Sequence, residues 1–453
     1  MGDSMNLYSM LNKREQDERP VKVGVIGAGK FSSMFLNQAR FTPGLQVVGI
    51  AELSAQRAYE ALKTTGWGKD RAAAAASSAE INDTAASGKI AITEDAIALI
   101  ESECEVILEI TGSPEAGTSH AVAAIEAAKH VVMVNVEADC LLGPVLSKKA
   151  EDNNVVYTMA YGDQPALIME QLDWARTVGF EVVCTGKGTR YQPEYHYSTP
   201  ETVWGYYGFS EERVASGDYN AQMFNSFLDG SKSAIEMCAV ANGSGLRPQK
   251  CGLQFPAVDV EDLADVLKPA AEGGILEHSG TVEVIASEQR DGSPIARDLR
   301  WGVYVVFRAP NAYAARCFEE YGMKTDASGL YSALYRPYHY IGLELGISAV
   351  NALLRSEPTG CSRHYLADVG AFAKKDLRPG DQLDGEGGYT VFGKLMSAEK
   401  SLSGAILPLG LTGQARVVKP VAKDAALTYD CVELDTSKTA YRLRKELESW
   451  GSS

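Results

Sequence analysis

"VKVGVIGAGKFSSMFLNQAR", residues 21–40, carries the pattern on which the fold turns. Residues 21–26 form an apolar, valine-rich run that reads as a buried strand. Gly27-Ala28-Gly29-Lys30-Phe31-Ser32 follows, a GxGxxG-type turn with serine in the third glycine position, and then a helical segment. The first glycine permits the tight turn. The second lets a pyrophosphate approach the backbone at the helix start, and Ser32 is small enough for close helix–strand packing. "LQVVGIAEL" (45–53) is a second apolar strand ending at Glu52, 23 residues after Gly29. A carboxylate there can accept the ribose hydroxyls. The whole strand–turn–helix–strand–acid unit predicts a dinucleotide site at Gly27, Ala28, Gly29, Lys30, Phe31 and Glu52; the alternative is a purely structural βα turn. Glu52 favours NADH, because it repels a 2′-phosphate. Arg57, five residues on, can hold such a phosphate, so NADPH stays open.

Outward from this unit, "CEVILEITGS" (104–113) and "KHVVMVNVEAD" (129–139) are further strand runs, with a helical segment at 116–129 between them. Strand, helix and strand recur up to residue 188. The alternation predicts an α/β fold with a doubly wound, Rossmann-type parallel sheet. The Ala/Ser-rich stretch 72–88 reads as a surface helix and loop between strands. Thr111-Gly112-Ser113 ends one strand and Asn135 the next, which places them at the nicotinamide end of such a sheet; ordinary strand-end turns are the alternative.

From about 187 to 330 the alternation stops, and short β-like runs appear at 280–289 and 301–309. "YHYIGLELGISAVNALL" (338–354) reads as one long helix, and from about 366 Gly/Asp turns separate short strands. The expected organisation is a dinucleotide-binding domain at 1–162, a central α+β substrate and oligomerisation domain at 163–337, a helix returning to the first domain at 338–360, and a small β-rich domain at 361–453. Open sheet edges between about 250 and 310 predict a homodimer.

A chain of 453 residues is long enough for two to four domains. Its formal charge of −16 argues against nucleic acid as a partner. Nothing approaches the roughly 18 apolar residues of a membrane span, and residues 1–20 are polar, so no membrane partner and a cytoplasmic location are expected. The eight cysteines include no CxxC and read as reduced, mostly buried thiols. Glu137 and Asp163 stand near strand ends but without metal-ligand spacing. No protein metal cage is expected, and Mg²⁺ or Mn²⁺ is left to enter with substrate.

"FLDGSKSAIEMCAVANG" (227–243) sets Lys232 and Glu236 four apart on an otherwise apolar helix that Asp229 can cap. Lys before Glu is the weaker order for a helix pair. A partly buried pair is costly to keep for stability alone, so the two are candidate catalytic groups. Lys187, in "CTGKGTRYQPEYH" (184–196), follows the last Rossmann-like strand, and Arg190 is three further on. With Lys232 they can form a positive pocket for an anionic substrate, with Glu236 accepting a proton or orienting Lys232. His196, Arg336 and His339 are weaker candidates, His196 because "YHYS" also reads as aromatic packing.

"EITGSPEAGTSHAVAAIEAAKHVVMVNVEAD" (109–139) resembles the strand–TG–helix–strand–Asn segment of homoserine-dehydrogenase-like oxidoreductases. In homoserine dehydrogenases a lysine usually follows that asparagine; here Val136 and Glu137 do. The Lys232/Glu236 helix also resembles the family's, with the charges exchanged. Both departures point away from homoserine, toward a more anionic substrate. "LADVGAFAKKDLRPGDQL" (366–383) looks like a SAF-type β-clip module. A chain of this architecture resembles the DXR-like, or type II, 1-deoxy-D-xylulose 5-phosphate reductoisomerases of isoprenoid precursor synthesis, over about residues 6–440. The resemblance implies an NADP-dependent reductoisomerase acting on a small phosphorylated sugar. The rivals are a dehydrogenase of a hydroxy acid or sugar acid, and a non-enzymatic cofactor-binding sensor.

Overall fold

The computed structural model describes residues 6–217 and 219–450. The chain divides into two compact units, Met1–Ala166 with Tyr340–Arg363, and Leu167–His339 with His364–Ser453.

The first unit is built on seven parallel strands: β1 (Val21–Ile26), β2 (Leu45–Ala51), β3 (Ala72–Ala74), β4 (Ile90–Thr93), β5 (Val106–Glu109), β6 (His130–Met133) and β7 (Tyr157–Met159). Their order is β3-β4-β2-β1-β5-β6-β7. A parallel sheet is covered on both faces, so its strands are apolar along their length. Val21, Val23, Val25, Ile50, Val106 and Leu108 are accordingly buried in one core. The Ala/Ser-rich stretch differs from expectation: Ala72–Ala74 is the sheet's edge strand, in register with Ile90–Ile92. Ser77 then caps helix Ser78–Ala86. The expected helix over 338–354 is confined to Gly346–Leu354. Gly342 stops it further back. Its φ is +83°, and a Cβ there would come within 2.6 Å of the Phe31 carbonyl oxygen.

The second unit holds a four-stranded sheet of β8 (Glu181–Thr189), β9 (Thr281–Ala286), β10 (Val303–Arg308) and β11 (Tyr331–Arg336), ordered β11-β10-β8-β9. β8 and β9 are parallel, and the other pairings are antiparallel. Helix Ser231–Ser244 is buried on nearly every side; only Lys232 and Gly243 reach intermediate exposure. It packs against β9 and against the antiparallel hairpin of β12 (Ala367–Ala373) and β13 (Val391–Ser397). The C-terminal β-rich segment therefore shares a unit with residues 167–339. Its last helix, Thr439–Trp450, is fastened by Arg444, whose guanidinium donates to both Asp368 oxygens at 2.5 and 3.2 Å with both side chains buried. Among the described residues no helix is long and apolar enough to cross a membrane. All eight cysteines are free; Cys251 is exposed and Cys317 half-buried, unlike the other six.

Asp139, in helix Val136–Asp152, is a carboxylate buried in the first unit. Tyr157 donates to one of its oxygens at 2.9 Å and Ser362 to the other at 2.7 Å. Burial outweighs these two bonds and raises its pKa from 3.8 to about 6. A carboxyl whose folded value lies above the unfolded one contributes stability that is present below about pH 4 and lost as pH rises through about 6. The full effect is on the order of 3 kcal/mol. Asp139→Asn keeps both hydroxyl contacts, because hydroxyls reorient, and removes the charge. Its melting temperature should gain on that of the native chain by several degrees between about pH 5 and about pH 8, as thermal scans across that range would show. A constant difference would contradict the assignment.

Candidate functional site

In the first unit the site is made by the turn after β1. Gly27 has φ +99°, and a Cβ on it would lie 3.1 Å from the Ile110 carbonyl oxygen, so the position requires glycine. Its N–H donates to Ala51 at 2.8 Å, and Ser32 Oγ donates to its carbonyl at 2.5 Å. Gly29 is the N-cap of helix Lys30–Ala39. A Cβ on Gly29 would meet nothing within 4 Å. The backbone there fronts open space, and the first amides of the helix have no partner within it. That is the cradle a pyrophosphate requires. Glu52 Oε2 accepts the Ala28 N–H at 2.8 Å, which pins the acid to the turn, and Arg57 Nη1 lies 3.5 Å from its other oxygen.

At the ends of β5 and β6, Thr111 Oγ1 donates to Glu109 Oε1 at 2.5 Å. Asn135 Nδ2 donates to Thr111 Oγ1 at 3.3 Å and to the Ser113 carbonyl at 2.9 Å. Asn135 Oδ1 caps helix Val136–Asp152 by accepting the Ala138 N–H at 3.0 Å. A Cβ on Gly112 would meet nothing within 4 Å. Sequence reasoning missed Glu109 and its neighbour His120, whose Nδ1 lies 3.2 Å from Glu109 Oε1. The signal was legible: a carboxylate closing an otherwise apolar strand.

In the second unit Lys187 and Glu236 come together. Lys187 Nζ is 2.5 Å from Glu236 Oε2, with 4% and 2% of the two side chains exposed. A lysine on Glu236 thus comes from β8, 49 residues earlier in the chain. Lys232 is half-buried one turn nearer the helix start. Asp229 Oδ1 does accept the Ser231 N–H at 2.9 Å, with Gly230 at φ +86° as the N-cap between them. Asp229 also sits 2.7 Å from Lys374 Nζ, and both are buried.

The remaining candidates have structural partners. Arg190 Nε lies 2.8 Å from Glu288, on which its charge is engaged. His196 Nδ1 faces the Asp229 carbonyl at 2.7 Å and its Nε2 faces Tyr191 Oη at 3.0 Å. Its ring stacks on Phe392, and burial lowers its pKa. This is the aromatic-packing reading of "YHYS". His339 Nδ1 faces the Trp301 carbonyl at 2.7 Å. Arg336 lies over Tyr338. Asp163 is buried and accepts the Gln164 N–H at 2.8 Å, and Glu137 is half-buried. Among the described residues no three His, Cys, Asp or Glu side chains gather as metal ligands.

The profile of a known family, "Oxidoreductase DRL, catalytic domain", matches residues 162–345, less than half of the chain but including Lys187, Lys232 and Glu236. No curated protein sequence matches. Among solved structures, the chain is similar to a biliverdin reductase from Synechocystis sp. PCC 6803, crystallised with biliverdin and NADP+, at 18% identity and TM-score 0.27, over 38% of this chain and 48% of that one. It is similar to a dipicolinate-bound dihydrodipicolinate reductase from Paenisporosarcina sp. TG-14 at 10% identity and TM-score 0.35, over 75% and 97%. It is also similar to a myo-inositol dehydrogenase from Lactobacillus casei at 16% identity and TM-score 0.27, over 41% and 50%. For the first and third of these, about half of the relative's length is covered. Residues 162–345 thus resemble an oxidoreductase catalytic domain, and the turn after β1 offers a nucleotide cradle.

Because a Cβ at Gly29 meets nothing within 4 Å, Gly29→Val should fold with a nearly unchanged melting temperature. The valine should fill the pyrophosphate path and abolish NAD(P)H binding in a calorimetric titration. Retained affinity would remove the turn from the site.

Proposed function

We propose that this chain uses NAD(P)H to reduce a small anionic polyhydroxy carbonyl compound, and that its reaction is the reductoisomerisation of 1-deoxy-D-xylulose 5-phosphate to 2-C-methyl-D-erythritol 4-phosphate. One observation carries the reading: a buried lysine–carboxylate pair lies inside the segment that matches an oxidoreductase catalytic domain. Such a pair seldom stabilises a fold better than apolar residues would, whereas carbonyl reduction needs this chemistry. NAD(P)H, held along Gly27–Phe31 and by Glu52, supplies the hydride. Arg57 beside Glu52 provides the cation for a 2′-phosphate, which supports NADPH, with NADH the alternative.

Glu236 takes a proton from a substrate hydroxyl as one C–C bond breaks and another forms. Lys187 holds the negative charge that develops on oxygen. Glu236 returns its proton to the alkoxide left on the former ketone oxygen, Lys187 protonates the alkoxide formed when hydride reaches the aldehyde carbon, and solvent restores the lysine's proton. Lys232 contributes positive charge for the substrate's anionic group. Mg²⁺ or Mn²⁺ enters, if at all, with the substrate. The protein works as a homodimer, a proposal supported by the edge strand β11, on which Leu334 and Tyr335 are exposed.

A second reading, dehydrogenation of a hydroxy acid or sugar acid, is favoured by Arg190. A phosphate anchor needs converging cations, and this arginine is engaged by Glu288. Steady-state oxidation of NADPH and NADH with 1-deoxy-D-xylulose 5-phosphate, other ketose phosphates and unphosphorylated keto acids separates the two. Turnover confined to the unphosphorylated set would overturn the reductoisomerase reading.

Removing one partner of the pair leaves a buried charge and costs about 3–5 kcal/mol, so the informative variant changes both. Lys187→Met with Glu236→Leu should melt within a few degrees of the native chain. Its turnover should fall by roughly two to four orders of magnitude. Near-native turnover would return the pair to a structural role. Light scattering at micromolar concentration should give twice the 48.7 kDa chain mass; a monomer would contradict the dimer.

A further inference from the structure

We propose that Glu109 is the positioning residue for the nicotinamide end of the nucleotide site, acting through Thr111 and Asn135. The proposal rests on the reading of the first unit as the NAD(P)H-binding unit. Strand order reverses between β1 and β5, and ligands of open α/β sheets bind beyond the carboxyl ends of the strands at that reversal. Glu109 closes β5 in register with Ile26, the residue just before the glycine turn. It therefore stands at the reversal itself, across from Gly27.

Its carboxyl is fully buried, and no lysine or arginine lies in ion-pair range of it among the described residues. A buried carboxylate is kept only where donors surround it. Thr111 Oγ1 at 2.5 Å, the Thr111 N–H at 3.3 Å and His120 Nδ1 at 3.2 Å all converge on Oε1. Among the described residues Oε2 has no hydrogen-bond partner. It faces the first turns of helix Pro114–Glu126: a Cβ on Gly117 would lie 3.0 Å from Oε2 and 2.6 Å from Asn135 Nδ2. One carboxylate thus sets the 111–113 turn, the start of that helix and Asn135 against one another.

Hydrogen-bond direction assigns the roles. A threonine hydroxyl has one proton. Thr111 gives it to Glu109 and accepts from Asn135, so it is a strut. The group left facing open space is the backbone at Gly112. Glu109 orients that backbone without touching the ligand.

Calorimetric titration of Glu109→Gln tests this, using NADPH and NADH beside ADP-ribose and 2′-phospho-ADP-ribose, which lack nicotinamide. Glutamine keeps the shape and removes the charge that Thr111 donates to. Affinity for the complete dinucleotides should fall about tenfold, the worth of one charge-assisted hydrogen bond, while the nicotinamide-free nucleotides bind within about twofold of native. Thr111→Val should reproduce the selective loss and Thr111→Ser should restore native binding. This pair decides the matter if Glu109→Gln does not fold. An equal loss for both ligand classes, or no loss for either, would overturn the proposal. A native chain that binds neither class would instead overturn the nucleotide-site reading on which it rests.

Discussion

The contact between Lys187 and Glu236 sets the terms for the second unit. Two charges taken out of water are tolerated only if each finds its partner at close range, so strand β8 and helix Ser231–Ser244 have little freedom in how they meet. The helix start is fixed accordingly. Gly230 turns the chain through φ +86°, where a Cβ would lie 3.2 Å from the His196 ring. Ser231 Oγ accepts the Gly393 N–H at 2.9 Å, which fastens the first turn to β13. Asp229, just before the turn, is held by Lys374. Each of these contacts joins residues far apart in the chain, and together they hold Glu236 in place.

The first unit uses carboxylates in the same economical way. Glu52 and Glu109 close neighbouring strands on either side of β1, and each accepts a backbone N–H from a turn. Glu52 holds the glycine turn itself, and Glu109 holds the turn after β5. Acidic residues at strand ends thereby define the loops that ring the nucleotide cradle.

Much of this is legible in the sequence. The strand–glycine–helix unit identifies the parallel sheet, because apolar runs and a GxGxxG-type turn are local features that few other folds bring together. The candidate glycines and Glu52 stand where their spacing puts them. What is less legible depends on contacts distant in sequence. Lys232 and Glu236 look like a pair because helix periodicity is visible in a sequence; Lys187, 49 residues from Glu236, shows no such signal. The short strand at Ala72–Ala74 is hidden because alanine has low strand propensity, and pairing with β4 overrides it. The helix over 338–354 reads too long because its apolar pattern masks the glycine at 342, whose backbone conformation interrupts it.

The Asp229–Lys374 contact has a bearing on how this architecture can be taken apart. The segment that matches a catalytic domain ends at residue 345, and the cation that neutralises Asp229 lies beyond it. A boundary drawn by resemblance is therefore not a boundary of autonomy. A fragment ending at 345 would leave Asp229 without its cation. It would also lose the hairpin on which its central helix lies. The C-terminal segment cannot be a detachable accessory that recombination adds or removes at will. Its loss or exchange would leave Asp229 and the helix that follows it to find other partners.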